Sequence, residues 1–150
     1  MSSREKQNSV VLVCLSFILT YYVVNWVRVY QAEGLNSEAI FRLWWTVMIA
    51  AIILIIVGII ATMIGSNIIH AIKTGKEDPQ TSVEDERDKL FELKGEYASS
   101  IVFSLGVVLS MLTFVLGQPP LIMFSLITFF GILSGIAGSI YQLVLYRKGG

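Results

Sequence analysis

Residues Lys73–Tyr97 read KTGKEDPQTSVEDERDKLFELKGEY, and they hold 13 of the chain's 22 Asp, Glu, Lys and Arg residues. Long apolar runs flank the stretch on both sides. The whole 150-residue chain is 55% hydrophobic and only 15% charged, with a mean hydropathy of +0.71. A soluble domain usually carries about 25% charged residues. A charged island between apolar runs is the pattern of a small polytopic membrane protein, and this island is its one sizeable aqueous segment.

Working outward, Leu43–Ile72 precedes the island. Thirty helical residues would reach about 45 Å against a hydrocarbon core of about 30 Å. This helix is therefore expected to tilt, or to extend past the membrane near Asn67 and His70. Before it, residues 31–42 (QAEGLNSEAIFR) predict a short loop in which Asn36 or Ser37 caps the next helix and Glu38 suits its dipole. Ser9–Tyr30 is the first apolar run. It is longer than the 7–15 residues of a signal-peptide core, and no small-x-small cleavage site follows, so it predicts a retained span.

Within the island, Thr74–Pro79 reads as a turn. Thr81-Ser82-Val83-Glu84 fits a capping box, with Ser82 and Asp85 as the alternative. A helix from Ser82 is expected to run on into the third span, Tyr97–Leu116, with Gly95 as its weak point. Gly117-Gln118-Pro119-Pro120 is an uncharged tight turn. Leu121–Tyr146 is the fourth run, stopped by Arg147-Lys148. Runs of this length, almost free of formal charge, predict membrane-spanning helices. The reading is a single all-α integral membrane domain, residues 1–150. Its four transmembrane helices lie at about 9–30, 43–72, 97–116 and 121–146. Residues 73–96 form a cytoplasmic connector whose amphipathic helix, about 82–96, continues into the third span.

Lys and Arg set the orientation. Arg4, Lys6, Lys73, Lys76, Arg87, Lys89, Lys94, Arg147 and Lys148 lie on one side; Arg28 and Arg42 lie on the other. Nine against two predicts that both termini and the connector are cytoplasmic in a multi-pass protein of the cell membrane. Trp26, Trp44 and Trp45 fall at the outer ends of their spans, as interfacial rings do.

The second and fourth runs resemble each other. Gly58-Ile-Ile-Ala-Thr-Met-Ile-Gly-Ser66 aligns without a gap to Gly131-Ile-Leu-Ser-Gly-Ile-Ala-Gly-Ser139, as expected of two hairpins related as parallel repeats. Gly58, Ala61, Thr62 and Gly65 share one helix face, as do Gly131, Ser134, Gly135 and Gly138. Lipid offers helices no hydrophobic reason to associate, whereas small residues admit close van der Waals contact. The expectation is that the second span packs on the fourth through these faces; a homodimer through them is the alternative.

Chemistry finds little foothold. Cys14, the one cysteine, excludes an intramolecular disulfide and reads as a buried thiol. No Asp, Glu or Lys lies deep in a span, which weighs against ion-coupled transport. Most of the deeper polar groups are Ser or Thr, able to bond their own helix backbone. Asn25, Asn67 and Gln142 near span ends read as interhelical ties or headgroup contacts. His70 suits a capping or headgroup role, or a pH switch. Glu84, Asp85, Glu86, Arg87 and Asp88 form the densest charge run. They lack a calcium-loop pattern, and Arg87 competes for the carboxylates, so no metal is expected. No hydrolase, zinc or P-loop motif appears. The expectation is a non-enzyme without a cofactor, and a net charge of zero argues for no nucleic acid.

The connector carries its own pattern. Val83, Leu90 and Tyr97 recur every seven residues, Leu93 joins Leu90 at i,i+3, and Phe91 widens the apolar surface. Five basic and eight acidic residues from Lys73 to Glu96 disfavour anionic lipid. Leu90 and Leu93 are therefore expected to pack on the protruding second span or on another subunit, with Glu84, Glu86 and Asp88 facing water. The run Asp85-Glu-Arg-Asp-Lys-Leu-Phe-Glu-Leu-Lys94 after the second span resembles a domain-of-unknown-function family of small four-span prokaryotic, largely archaeal, membrane proteins. Phe91 departs from the polar or smaller residue typical there. The resemblance implies the four-span fold and no activity.

The functional expectation is a polytopic interaction or accessory subunit. It sits in the lipid bilayer and engages a cytoplasmic protein partner or a second copy through Glu84–Asp88, Leu90, Phe91 and Leu93. The alternative is a small oligomeric channel or transporter.

Overall fold

A computed structural model describes the backbone of residues 3–74 and 86–148, and their side chains except at positions 3–4, 62–63 and 65–74. The Thr81–Glu84 capping box, Asp85 and Glu84 lie outside the described residues, as do the side chains of Thr62, Gly65, Asn67 and His70. Four helices account for nearly everything described: α1 Ser3–Glu33, α2 Ser37–Thr74, α3 Glu86–Val115 and α4 Pro120–Lys148. Each has a stretch long and apolar enough to cross a bilayer, which makes this a multi-pass membrane protein.

The helices overrun the apolar runs that announce them. The 31 residues of α1 span about 46 Å and the 38 of α2 about 57 Å, well beyond a hydrocarbon core of about 30 Å. Of the expected 31–42 loop only residues 34–36 leave the helix. The reason is local: hydropathy marks where lipid ends, whereas a helix stops where its backbone is turned. Gly34, at φ +66°, ends α1 in a left-handed cap, its N–H donating to the Tyr30 carbonyl at 3.0 Å. The Asn36 Oδ1 then accepts from the Glu38 N–H at 3.0 Å and caps α2.

Gly117, at φ +83°, ends α3. The Gly117 N–H bonds the Phe114 carbonyl at 3.0 Å and the Gln118 N–H bonds that of Thr113 at 3.1 Å, the paired bonds of a Schellman cap. Pro120 opens α4, where a missing N–H costs nothing.

α1 packs on α2, α4 packs on α3, and α1 packs on α4, so the helices are joined in the spatial order α2, α1, α4, α3. Among the described residues the expected packing of the second span on the fourth does not form. Among the described residues α2 and α4 meet only narrowly; the Phe124 ring meets Phe41 at 5.1 Å and Trp44 at 5.8 Å.

The small faces instead turn inward within each hairpin. A Cβ at Gly58 on α2 would stand 2.9 Å from the Val10 Cγ1 of α1 and 3.5 Å from the Cys14 Sγ. On α4, a Cβ at Gly138 would stand 2.9 Å from the Gly95 carbonyl oxygen of α3, and Gly131 faces Phe103 at 3.9 Å. Gly135 alone faces the other hairpin, against Leu15 of α1 at 2.9 Å. Ser134 is buried and Ala61 is exposed. A homodimer through Gly58, Gly135 and Gly138 is thereby displaced, because helices of the same chain already occupy that space.

An apolar cluster of Ile18, Tyr22, Leu43 and Val47 is joined by Trp26, Ala51, Phe129 and Ile132. Inside it the Tyr22 hydroxyl donates to the Ser125 carbonyl of α4 at 2.9 Å, a bond that water cannot replace there. Cys14 is buried, with its Sγ 3.8 Å from the Leu54 carbonyl oxygen.

Candidate functional site

The connector's described part, from Glu86, is the first three turns of α3. Helix continues without a break through Gly95 into the span, so Gly95 is no weak point. It is a contact: a Cβ there would collide with the side chain of Gln142 on α4, and Gln142 Nε2 donates to the Glu92 carbonyl at 3.4 Å. Gln142 is thus an interhelical tie, whereas Asn25 bonds only the Tyr21 carbonyl of its own helix, at 2.8 Å.

Phe91 is the anchor of this segment, 8% exposed, its ring set edge-on against Tyr146 at 5.1 Å with the Arg87 guanidinium 5.2 Å from its centroid. Leu90 and Leu93, expected to pack on the protruding second span or on another subunit, are 48% and 62% exposed among the described residues, and Tyr97 is 70% exposed. The described connector face rests on α4; the side chains at the protruding end of α2 lie outside the described residues. The physical reason is steric. Successive residues on a helix turn by about 100°, so Phe91 and Gly95 share a face that excludes Leu90 and Leu93. The closest helix approach is set where a glycine removes the Cβ. Leucine spacing marks an apolar stripe but not which stripe finds a partner.

The same end of the molecule holds a cleft of about 210 Å³. Gln7, Asn8 and Val11 of α1 form one wall, and Ile59 is the contribution of α2. Asp88, Lys89 and Glu92 of α3 form the opposite wall, and Gln142 and Tyr146 of α4 complete it. Asn8 is held in place by its Nδ2, which donates to the Ser139 carbonyl at 3.0 Å. Of the expected interaction residues that are described, only Asp88 lines the cleft; Glu86, Arg87, Leu90 and Leu93 are exposed elsewhere on α3. Gln7, Asn8 and Tyr146 carried no sequence signal, because they are more than 50 positions from Asp88 and lie in unrelated runs.

Among the described residues no three His, Cys, Asp or Glu side chains gather in metal-binding range. Three buried serines of the spans are spent locally: the hydroxyls of Ser110, Ser125 and Ser134 donate to the carbonyls of Gly106, Leu121 and Gly131, at 2.7, 2.8 and 2.8 Å. No protein-family model, curated protein or solved structure matches the chain.

Proposed function

We propose that this protein is a non-enzymatic subunit of the cell membrane that presents α3 to a helix of a membrane partner, with both termini and the connector in the cytoplasm. One observation carries the reading. α3 rests on α4 with the face bearing Phe91, Gly95, Gly106 and Ser110, and among the described residues no helix covers the opposite face. Leu90, Leu93, Tyr97, Ile101, Leu105, Val108, Leu112 and Val115 all expose more than two-fifths of their surface. At 100° per residue they fall in one stripe.

Lipid covers such a stripe inside the bilayer. Leu90 and Leu93, however, lie among Asp88, Lys89, Glu92 and Lys94, beyond the apolar run. An apolar surface continuing past the hydrocarbon fits a partner helix that does the same. The excess of Lys and Arg on the connector side supports the orientation, and the Asp85–Lys94 resemblance supports membership in the small four-span family. The serine hydroxyls bonded to their own helices offer no polar path across the spans, which favours this reading over a channel.

The test is photo-crosslinking in native membranes. A crosslinker at Leu93 or Leu105 is expected to capture one protein partner, while the same group at Ile53 on α2 captures lipid. Lipid adducts alone at all three positions would overturn the proposal, as would ion flux through liposomes holding only this protein.

A further inference from the structure

We infer that the occupant of the open α3 face is a different protein from this chain: a membrane helix that carries an acidic residue where it leaves the bilayer, opposite Lys94. This rests on the α3 reading proposed above and names the partner's chemistry. Lys94 is exposed and lies within the stripe, four residues after Leu90 and seven before Ile101, so the three share one side of the helix. Ion pairs along a helix form at a separation of three or four residues. Around Lys94 those positions hold Leu90, Phe91, Tyr97 and Ala98. Glu92 and Glu96 are two residues away, a spacing at which side chains do not face each other, so the helix supplies Lys94 with no carboxylate of its own. A lysine that met only lipid phosphate would end the apolar stripe. Here the stripe continues on the aqueous side of Lys94 in Leu90 and Leu93, both exposed among the described residues. A protein surface covers apolar and charged positions together, and a carboxylate at that level complements the ammonium.

A second copy does not supply that carboxylate. Copies in one membrane share an orientation, so a two-fold pair of α3 faces sets Lys94 against Lys94 and Glu86 against Glu86. The exposed side of α1 fares no better. Lys6 is exposed and lies seven residues before the exposed Val13, on the same side of α1. Asn8 of α1 and Gly95 of α3 meet adjacent residues of α4, Ser139 and Gly138. Lys6 and Lys94 therefore stand at similar depth, and α3 laid on α1 of a second copy brings cation to cation. Like charges face to face reject a partner as effectively as opposite charges select one.

The experiment is energy transfer between full-length chains in phosphatidylcholine liposomes, with donor or acceptor dye on Gln118→Cys in a Cys14→Ser background. Lys94→Glu serves as the acidic partner, and Lys94→Asp as a second version of it. Mixed with the chain that keeps Lys94, either variant is expected to pair roughly fivefold more than any of these chains pairs with itself. Salt at about 1 M should erase the gain. Lys148→Glu, which changes charge outside the stripe, should give none. Equal pairing of the Lys94 chain with itself and with both variants, at any level, overturns the inference, because opposite charge at position 94 then selects nothing. So does a gain that persists in high salt, or one that Lys148→Glu reproduces. Failure here leaves the α3 reading itself standing, since that reading is tested by crosslinking at Leu93 and Leu105 in native membranes.

Discussion

Gly138 lies directly against the backbone of Gly95: a Cβ at position 138 would stand 2.9 Å from the Gly95 carbonyl oxygen and 3.0 Å from the Ser99 Cβ. The two glycines therefore set the distance between α3 and α4 at the point where the connector joins the span. Backbone cannot rotate aside as a side chain can. Gly138→Ala is expected to cost about 1–3 kcal/mol, the usual range for overpacking, read as a lowered unfolding midpoint in detergent. Gly131→Ala, which meets only Phe103 at 3.9 Å, should be neutral or slightly stabilising. Equal loss at the two positions would sink this account of the interface.

Phe91 and Leu93 should separate folding from partner binding. Phe91→Ala removes the ring that Tyr146 and Arg87 hold, and burial of such a ring is worth about 1.5–3 kcal/mol. Leu93→Asp and Leu90→Asp alter exposed positions and should leave the isolated protein's unfolding midpoint unchanged while weakening its capture of a partner. A large stability loss in Leu93→Asp would mean that the outward stripe packs within the chain.

Tyr22→Phe tests the bond between the two hairpins. It leaves the Ser125 carbonyl with its helix bond alone and removes a buried tie from α1 to α4. The expected cost is about 0.5–1.5 kcal/mol, measurable by unfolding in mixed detergent micelles. Thr20→Val, by contrast, removes only a hydroxyl bonded at 2.9 Å to the Ser16 carbonyl of its own helix, and should be nearly silent.

Orientation is checked by cysteine labelling in a Cys14→Ser background. Ser2→Cys, Ser82→Cys and Gly150→Cys should react with an impermeant reagent only from the cytoplasm, and Gln118→Cys only from outside. Gln118 is the better outer position, because Gly34 holds a φ of +66° that a side chain would strain. Labelling of Ser2→Cys and Ser82→Cys from opposite faces would contradict an even number of spans between them.

How much was legible in advance follows from which forces are local. The number of spans follows from apolar runs long enough for lipid, and the turns follow from Gly34, Asn36 and Gly117, because lipid burial, positive φ and helix capping act within a few residues. Partner choice does not. Gly58 and Gly131 mark small faces, yet nothing in their spacing says that α2 turns its face to α1 and α4 to α3. Within lipid every apolar stripe is nearly equivalent, so packing is decided by shape at a few close approaches. Tertiary structure alone put Gly95 opposite Gly138, buried Phe91 while leaving Leu90 and Leu93 open, and gathered Gln7, Asn8, Asp88 and Tyr146 around one cleft.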